Sequence, residues 1–191
     1  MANQKSDSDE VAIALLKKEW RRRLKKIRQE LDPQRRERAS TQACKQLSQW
    51  CKSARFVLSF ASFGSEIDLW PFNRELASEG RLVLPRLEKN HLHLFHLSDI
   101  SHLESHPKGW LEPQVSHCFP IDFSLIDIAL IPGLGFDLKT KYRLGYGLGC
   151  YDRLLAAAPS LQTWGIGFLE QAVEQLPYTL RDIPLKEIYL F

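Results

Sequence analysis

Residues 127–155 read DIALIPGLGFDLKTKYRLGYGLGCYDRLL. Asp127–Ile131 is a short apolar run, which suits a strand covered on both faces of a sheet. Pro132, Gly133 and Gly135 stop that strand. After a polar stretch, Arg143-Leu-Gly145-Tyr-Gly147-Leu-Gly149-Cys-Tyr151-Asp152-Arg153 leads into the helix-favouring run Leu154–Ala158. The stretch therefore reads as a buried strand, two glycine-punctuated turns and a helix start.

Glycine at positions 145, 147 and 149 removes the side chains that keep a bulky anion away from backbone N–H groups, and it permits positive φ. A helix beginning near Tyr151 aims unsatisfied N–H groups and the positive end of its dipole at the same place. Arg143 adds a two-pronged cation, and Asp152 a hard oxygen ligand suited to Mg²⁺. That combination describes a nucleotide polyphosphate site. The glycines by themselves fit a tightly packed turn equally well. Their spacing is neither the P-loop, which needs Gly-Lys-Ser/Thr, nor GxGxxG.

PGLGFD at 132–137 followed by RLGYGLGCYDR at 143–153 resembles the signature of the 5-formyltetrahydrofolate cyclo-ligases, also called 5,10-methenyltetrahydrofolate synthetases. The family form is approximately P-x-x-x-F-D, a short spacer, then R-L-G-x-G-x-G-Y/F-Y-D. Two departures stand out. Cys150 replaces a usual aromatic, and the spacer Leu138–Tyr142 runs one residue long without a usual glycine. The arginine, the glycines and the aspartate are all retained. The resemblance runs from about Lys17 to Ile188.

The resemblance implies a site assembled from distant parts of the chain. Lys17 and Arg21 match a Lys and Arg four apart on an opening helix, where they share a face and contact the nucleotide. With Arg143, Gly145, Gly147, Leu148, Gly149 and Tyr151 they form the implied ATP site, Lys17 and Arg143 acting on the reacting phosphates. Glu66-Ile67 matches a Glu that binds the pterin, whose N–H donors suit a carboxylate. Trp110, in Gly109-Trp-Leu-Glu112-Pro113, matches a covering loop and offers a flat apolar face. Tyr146 and Cys150 complete the implied folate contacts, and Pro85-Arg86 matches a Pro-Arg that meets substrate carboxylates. Asp152, and Asp182 in the P-x4-D segment from Pro177, are the implied Mg²⁺ ligands. By residue type alone, Glu66 also reads as a surface carboxylate, Trp110 as a core edge, Arg86 as a salt-bridge partner and Asp182 as a cap.

The implied activity is ATP- and Mg²⁺-dependent cyclisation of 5-formyltetrahydrofolate, with or without a polyglutamate tail, to 5,10-methenyltetrahydrofolate, with release of ADP and phosphate. In that chemistry the γ-phosphoryl group moves to the formyl oxygen and N10 attacks the activated carbon. Two other functions compete: another small-molecule ATP phosphotransferase on the same scaffold, and a nucleic-acid-binding module using the basic helix 17–38.

Composition describes an ordinary soluble globular protein. At 191 residues, with 44% apolar and 26% charged residues, the chain is expected to fold as a single domain over 11–191 behind a flexible segment 1–10. No apolar run approaches the ~20 residues a membrane span needs, and MANQKSDSDE lacks the apolar core of a secretory signal. Four cysteines without a CxxC pair suit reduced thiols in the cytoplasm. A monomer is the separate expectation for its assembly. The net charge of +3 is uneven. Lys17–Arg38 holds eleven Lys and Arg against four Asp and Glu, a local +7, so the remainder sums to −4.

The spacing predicts elements along the chain. Trp20, Leu24, Ile27 and Leu31 make the apolar stripe of a basic helix. Asp32-Pro33 caps and opens a second helix with Ala39, Ala43, Leu47 and Trp50 buried. Strands are expected at Phe56–Phe60, Arg81–Leu87, Asn90–Leu97, Thr163–Leu169 and Glu187–Phe191, with helices at Leu69–Glu79 and Glu170–Leu176. His91 and His93 fall on one face of what reads as an exposed edge hairpin, without the companions a zinc site needs. The alternation predicts a three-layer α/β/α single domain with a mostly parallel central sheet.

Overall fold

The computed structural model describes residues 2–191, with side chains from Glu10 onward. The flexible segment expected over 1–10 falls almost wholly outside those side chains. Helix α1 spans Ala2–Gln29 and α2 spans Pro33–Trp50. Between them the Asp32 carboxylate accepts from Arg35 N at 2.9 Å, and Pro33 opens the new helix. The basic stretch 17–38 is therefore not one helix. Proline cannot continue the i→i−4 ladder, so its charges divide between two axes.

The remaining elements are β1 (Val57–Leu58), α3 (Trp70–Ser78), β2 (Leu82–Glu88), β3 (His91–Leu97), β4 (Leu103–Ser105), β5 (Leu111–Pro113), β6 (Phe119–Pro120), β7 (Ile128–Pro132), β8 (Gly135–Asp137), β9 (Arg143–Leu144), α4 (Cys150–Ala157), β10 (Gln162–Gly167), β11 (Ala172–Val173) and β12 (Glu187–Leu190). The main sheet runs β12-β10-β7-β1-β2-β3-β6. It is parallel from β12 to β2 and antiparallel for β3 and β6. A small sheet, β11-β8-β9, stands beyond the exits of β7 and β10.

Alternation along the central strands feeds two cores. Val57, Leu82, Leu84 and Leu130 join Ala39, Ala43, Leu47, Phe72 and Leu76 from α2 and α3 on one face. Leu58, Val83, Ala129 and Ile131 join Leu154 and Leu155 from α4 on the other. These are the three layers. A third cluster, Leu24, Leu134, Leu144 and Leu176 with Trp20 and Ile27, seats α1 on the small sheet. Burying that stripe turns another face of α1, with Lys17 and Arg21, toward the glycine loop.

Several expectations are corrected. Residues 170–176 are not a helix. Leu169–Gln171 makes one 3₁₀ turn and β11 follows, pairing with β8. The buried Gln171 amide fixes that path, donating to Gly133 O at 2.7 Å and Leu134 O at 3.1 Å while accepting from Phe168 N at 2.8 Å. Trp50 is 40% exposed rather than buried, because it ends α2 and lies over the sheet edge, 4.7 Å from the Tyr189 ring. The first strand is only Val57–Leu58. β3 is not wholly an edge, since β6 pairs with Phe95 and His96, although His91 and His93 remain exposed. The β2–β3 turn places Lys89 and Asn90 at φ 46° and 68°, the two-residue geometry that matches strand twist. No described helix is long and apolar enough to cross a membrane.

Candidate active site

The chain leaves β1 for β2 on one side of the sheet, while β7, β10 and β12 build the other side. Ligands in open α/β sheets collect at such a switch point, outside the carboxyl ends of the strands. There the structure opens a pocket of about 1170 Å³, lined by residues from α1, the loop after β1, the end of β7, the glycine loop, α4 and the loop 179–183. Fourteen of the residues singled out from sequence line it: Lys17, Arg21, Glu66, Trp110, Arg143, Gly145, Tyr146, Gly147, Leu148, Gly149, Cys150, Tyr151, Asp152 and Asp182.

The glycine loop takes its shape from two positive-φ residues. Gly147 sits at φ 104° and Gly149, the N-cap of α4, at φ 64°. A Cβ at Gly147 would lie 3.1 Å from the Arg21 guanidinium carbon, and Arg21 Nε donates to Gly145 O at 2.9 Å. The loop and α1 are thus fitted to each other. Burial lowers the Arg21 guanidinium below its usual value, and the Asp182 charge partly offsets this.

Two ion pairs occupy this end of the pocket. Arg143, its side chain 4% exposed, donates through Nη1 to Asp152 Oδ1 at 2.9 Å and lies over the Tyr151 ring. Ile183 N–H also donates to Asp152 Oδ1 at 3.3 Å. Lys17 Nζ donates to both oxygens of Asp182 at 2.5 and 2.7 Å, and Thr179 adds its N–H and hydroxyl at 2.5 and 2.9 Å. Burial alone would raise the Asp182 carboxyl, but these bonds outweigh it and hold the group below the usual carboxylate range.

A second set of lining residues is aromatic and carboxylic. Tyr146 donates its O–H to Glu66 Oε1 at 3.2 Å, and Phe63 N–H donates to Oε2 at 3.2 Å. Burial pushes the Glu66 carboxyl up to about 7, although Arg28, Phe63 N–H and Tyr146 all act to lower it. Trp110 stacks on His106 with centroids 4.0 Å apart and stands 5.7 Å from Phe63, which in turn lies 5.8 Å from Tyr146. Cys150 is buried, and burial raises its thiol.

Arg86 does not reach this pocket. It meets Glu104 at 2.5 Å and Glu112 at 3.3 Å and donates to Pro113 O at 2.7 Å, so the salt-bridge reading of that residue holds. The histidines are likewise dispersed: His102 stacks on His117, His106 on Trp110, and His96 bonds Gly80 O.

Sequence reasoning missed two arginines. Arg28 lies beneath the pocket against Glu66 and Tyr146. Its signal was a charge four residues after Leu24, inside an otherwise apolar stripe. Arg153 bonds Leu148 O at 2.9 Å and also Asn90 O, tying the glycine loop to the β2–β3 turn. Nothing in the sequence marks that long-range contact.

A magnesium ion takes one or two carboxylates and otherwise keeps phosphate oxygens and waters. Among the described residues, both bonds to Asp152 fall on Oδ1, so Oδ2 remains for a metal. Both oxygens of Asp182 are engaged. Asp152 fits as it stands, and Asp182 fits in exchange for Lys17.

Fold and pocket together define an open-sheet α/β protein with a ligand cleft at its switch point. The chain belongs to the 5-formyltetrahydrofolate cyclo-ligase family, whose model matches residues 14–190. The 5,10-methenyltetrahydrofolate synthetase of Aquifex aeolicus is 31% identical in structural alignment, with 91% of this chain and 88% of that chain covered and a TM-score of 0.80. The Mycoplasma pneumoniae 5,10-methenyltetrahydrofolate synthetase shares the fold, with 20% identity, 90% and 96% coverage and a TM-score of 0.71. A 5-formyltetrahydrofolate cyclo-ligase of Saccharomyces cerevisiae is 31% identical over 64 residues, a stretch spanning 30% of this chain and 30% of that protein.

Proposed function

We propose that this chain catalyses the ATP- and Mg²⁺-dependent cyclisation of 5-formyltetrahydrofolate to 5,10-methenyltetrahydrofolate, releasing ADP and phosphate. The observation that carries the reading is one pocket lined by two chemically distinct sets of residues. A cationic, glycine-lined set stands with an aromatic set that holds a buried carboxylate, and the loop 145–149 touches both, through Gly145 to Arg21 and through Tyr146 to Glu66.

The formyl oxygen is a poor leaving group because it would depart as hydroxide. Transfer of the γ-phosphoryl group to it leaves ADP and makes the departing group phosphate. The N10 lone pair then attacks the formyl carbon, N10 gives up its proton to the departing phosphate, and phosphate leaves with the original carbon–oxygen bonding pair. No protein nucleophile is needed; positioning and charge neutralisation supply the rate. Lys17, Arg21 and Arg143 bind the phosphates, and Gly145, Gly147 and Gly149 let the backbone close on them. Leu148 and Tyr151 line the nucleotide end. Glu66 accepts pterin N–H groups, while Trp110, Tyr146 and Cys150 frame the ring. Asp152, with Asp182 once Lys17 has turned to phosphate, would hold Mg²⁺, which neutralises charge on the transferring group.

Glu66→Gln tests the division of the pocket. It preserves size but replaces one acceptor oxygen with a donor. The expected result is a KM for the folate at least about tenfold higher, with ATP affinity within about twofold of the parent. Equal weakening of both ligands would contradict the assignment of Glu66.

A further inference from the structure

Arg28 does not line the pocket and has no role in the reaction outlined above, yet it is 2% exposed and linked to three other segments. Its Nε donates to Ser65 Oγ at 3.1 Å in the loop after β1, and Nη1 donates to Gly133 O at 3.3 Å beyond β7. Nη2 donates to the Tyr146 hydroxyl, and Nη1 stands 3.8 Å from Glu66 Oε1. Tyr146 in turn donates to that same carboxylate oxygen. With Glu66 ionised the direction of this chain is forced, because a guanidinium has no acceptor and an ionised carboxylate has no donor.

A buried guanidinium is costly unless fully paired. It also occupies a helix position between Leu24 and Leu31, where an apolar side chain would pack without that cost. The contacts that compensate it lead to Glu66 and Tyr146. We propose that Arg28 is a positioning residue that holds Glu66 in its charged form and fixes Tyr146 against it, so that the pocket presents an anion to the folate. The inference rests on the reading of Glu66 as the folate's carboxylate ligand.

The titratable groups facing Glu66 are Arg28 from α1, Tyr146 from the glycine loop and Tyr151 from α4. Of these only Arg28 carries a positive charge. Burial already brings the Glu66 carboxyl to about 7, so at neutral pH its ionisation is finely balanced. Removing the guanidinium charge therefore raises the carboxyl further and protonates it at neutral pH.

The test uses Arg28→Met, which keeps length without charge, and Arg28→Lys, which restores charge without the fork. Carboxyl ¹³C NMR of the full-length, folate-free protein, with Glu66 assigned by loss of its signal in Glu66→Gln, reads its titration directly. Arg28→Met should move the Glu66 midpoint up by about one pH unit or more, with Arg28→Lys falling between. For a one-unit move the anionic fraction at pH 7 falls from about half to about a tenth, so kcat/KM for the folate drops roughly fivefold and recovers near pH 9. ATP affinity stays constant. An unchanged Glu66 midpoint in folded Arg28→Met overturns the proposal. If that variant does not fold, Arg28→Lys and Tyr146→Phe carry the test, and two unmoved midpoints overturn it. A shifted midpoint in a protein whose parent does not turn over the folate would overturn the folate reading and leave the hold of Arg28 on Glu66 standing.

Discussion

Asp152 and Asp182 line one pocket but differ in how firmly they are engaged. Asp182 is bound through both oxygens, whereas the bonds to Asp152 fall on Oδ1. Truncating Asp152 would strand the Arg143 guanidinium, which is almost wholly buried, so alanine would mix a folding cost with a functional one. Asp152→Asn keeps an acceptor for Arg143 and Ile183 N–H and removes only the charge. It should lower turnover by about 10²-fold or more and weaken Mg²⁺ dependence, with a thermal midpoint near that of the parent. Near-parental turnover at saturating Mg²⁺ would contradict the metal assignment. Legibility at this scale followed local spacing. The glycines, Arg143 and Asp152 stand in one short motif and could be read together. Arg28 and Arg153 act through contacts 118 and 63 positions away, which no local pattern announces.

At the scale of elements, α1 does two things with one sequence. Its stripe at Trp20, Leu24 and Ile27 packs on the small sheet, and the adjoining face carries Lys17 and Arg21 to the glycine loop. The Asp32 cap is what separates this helix from α2. Asp32→Ala removes the acceptor for Arg35 N–H and should cost about 1 kcal/mol in denaturant unfolding while leaving kinetic constants alone. Unaltered stability would show that the Pro33 start alone sets the break. The helix–turn–helix break was legible because Asp-Pro has a local mechanism. Residues 170–176 were not legible, because the polar Gln171 turns inward to bond Gly133 and Leu134, and β11 exists only by pairing with β8. A partner strand 36 residues back overrides local helix preference.

For the whole molecule, the layered architecture was legible from the alternation of apolar strands and amphipathic helices, and the sheet order then places its switch point at β1 and β7. Long-range pairings bring Lys17 to Asp182 and Glu66 to Tyr146, and Lys17 and Arg21 of the basic stretch line the cleft. The small β4–β5 hairpin, the inserted β6 and the shortness of β1 were not legible, because each is defined by pairing rather than by periodicity. The central claim is that this cleft joins a nucleotide to a formylated folate. The most direct measurement is near-ultraviolet absorbance of the purified protein with 5-formyltetrahydrofolate, ATP and Mg²⁺. The methenyl chromophore should grow only when all three are present and should stop on addition of EDTA. ATP hydrolysis or binding with no methenyl product would contradict the claim.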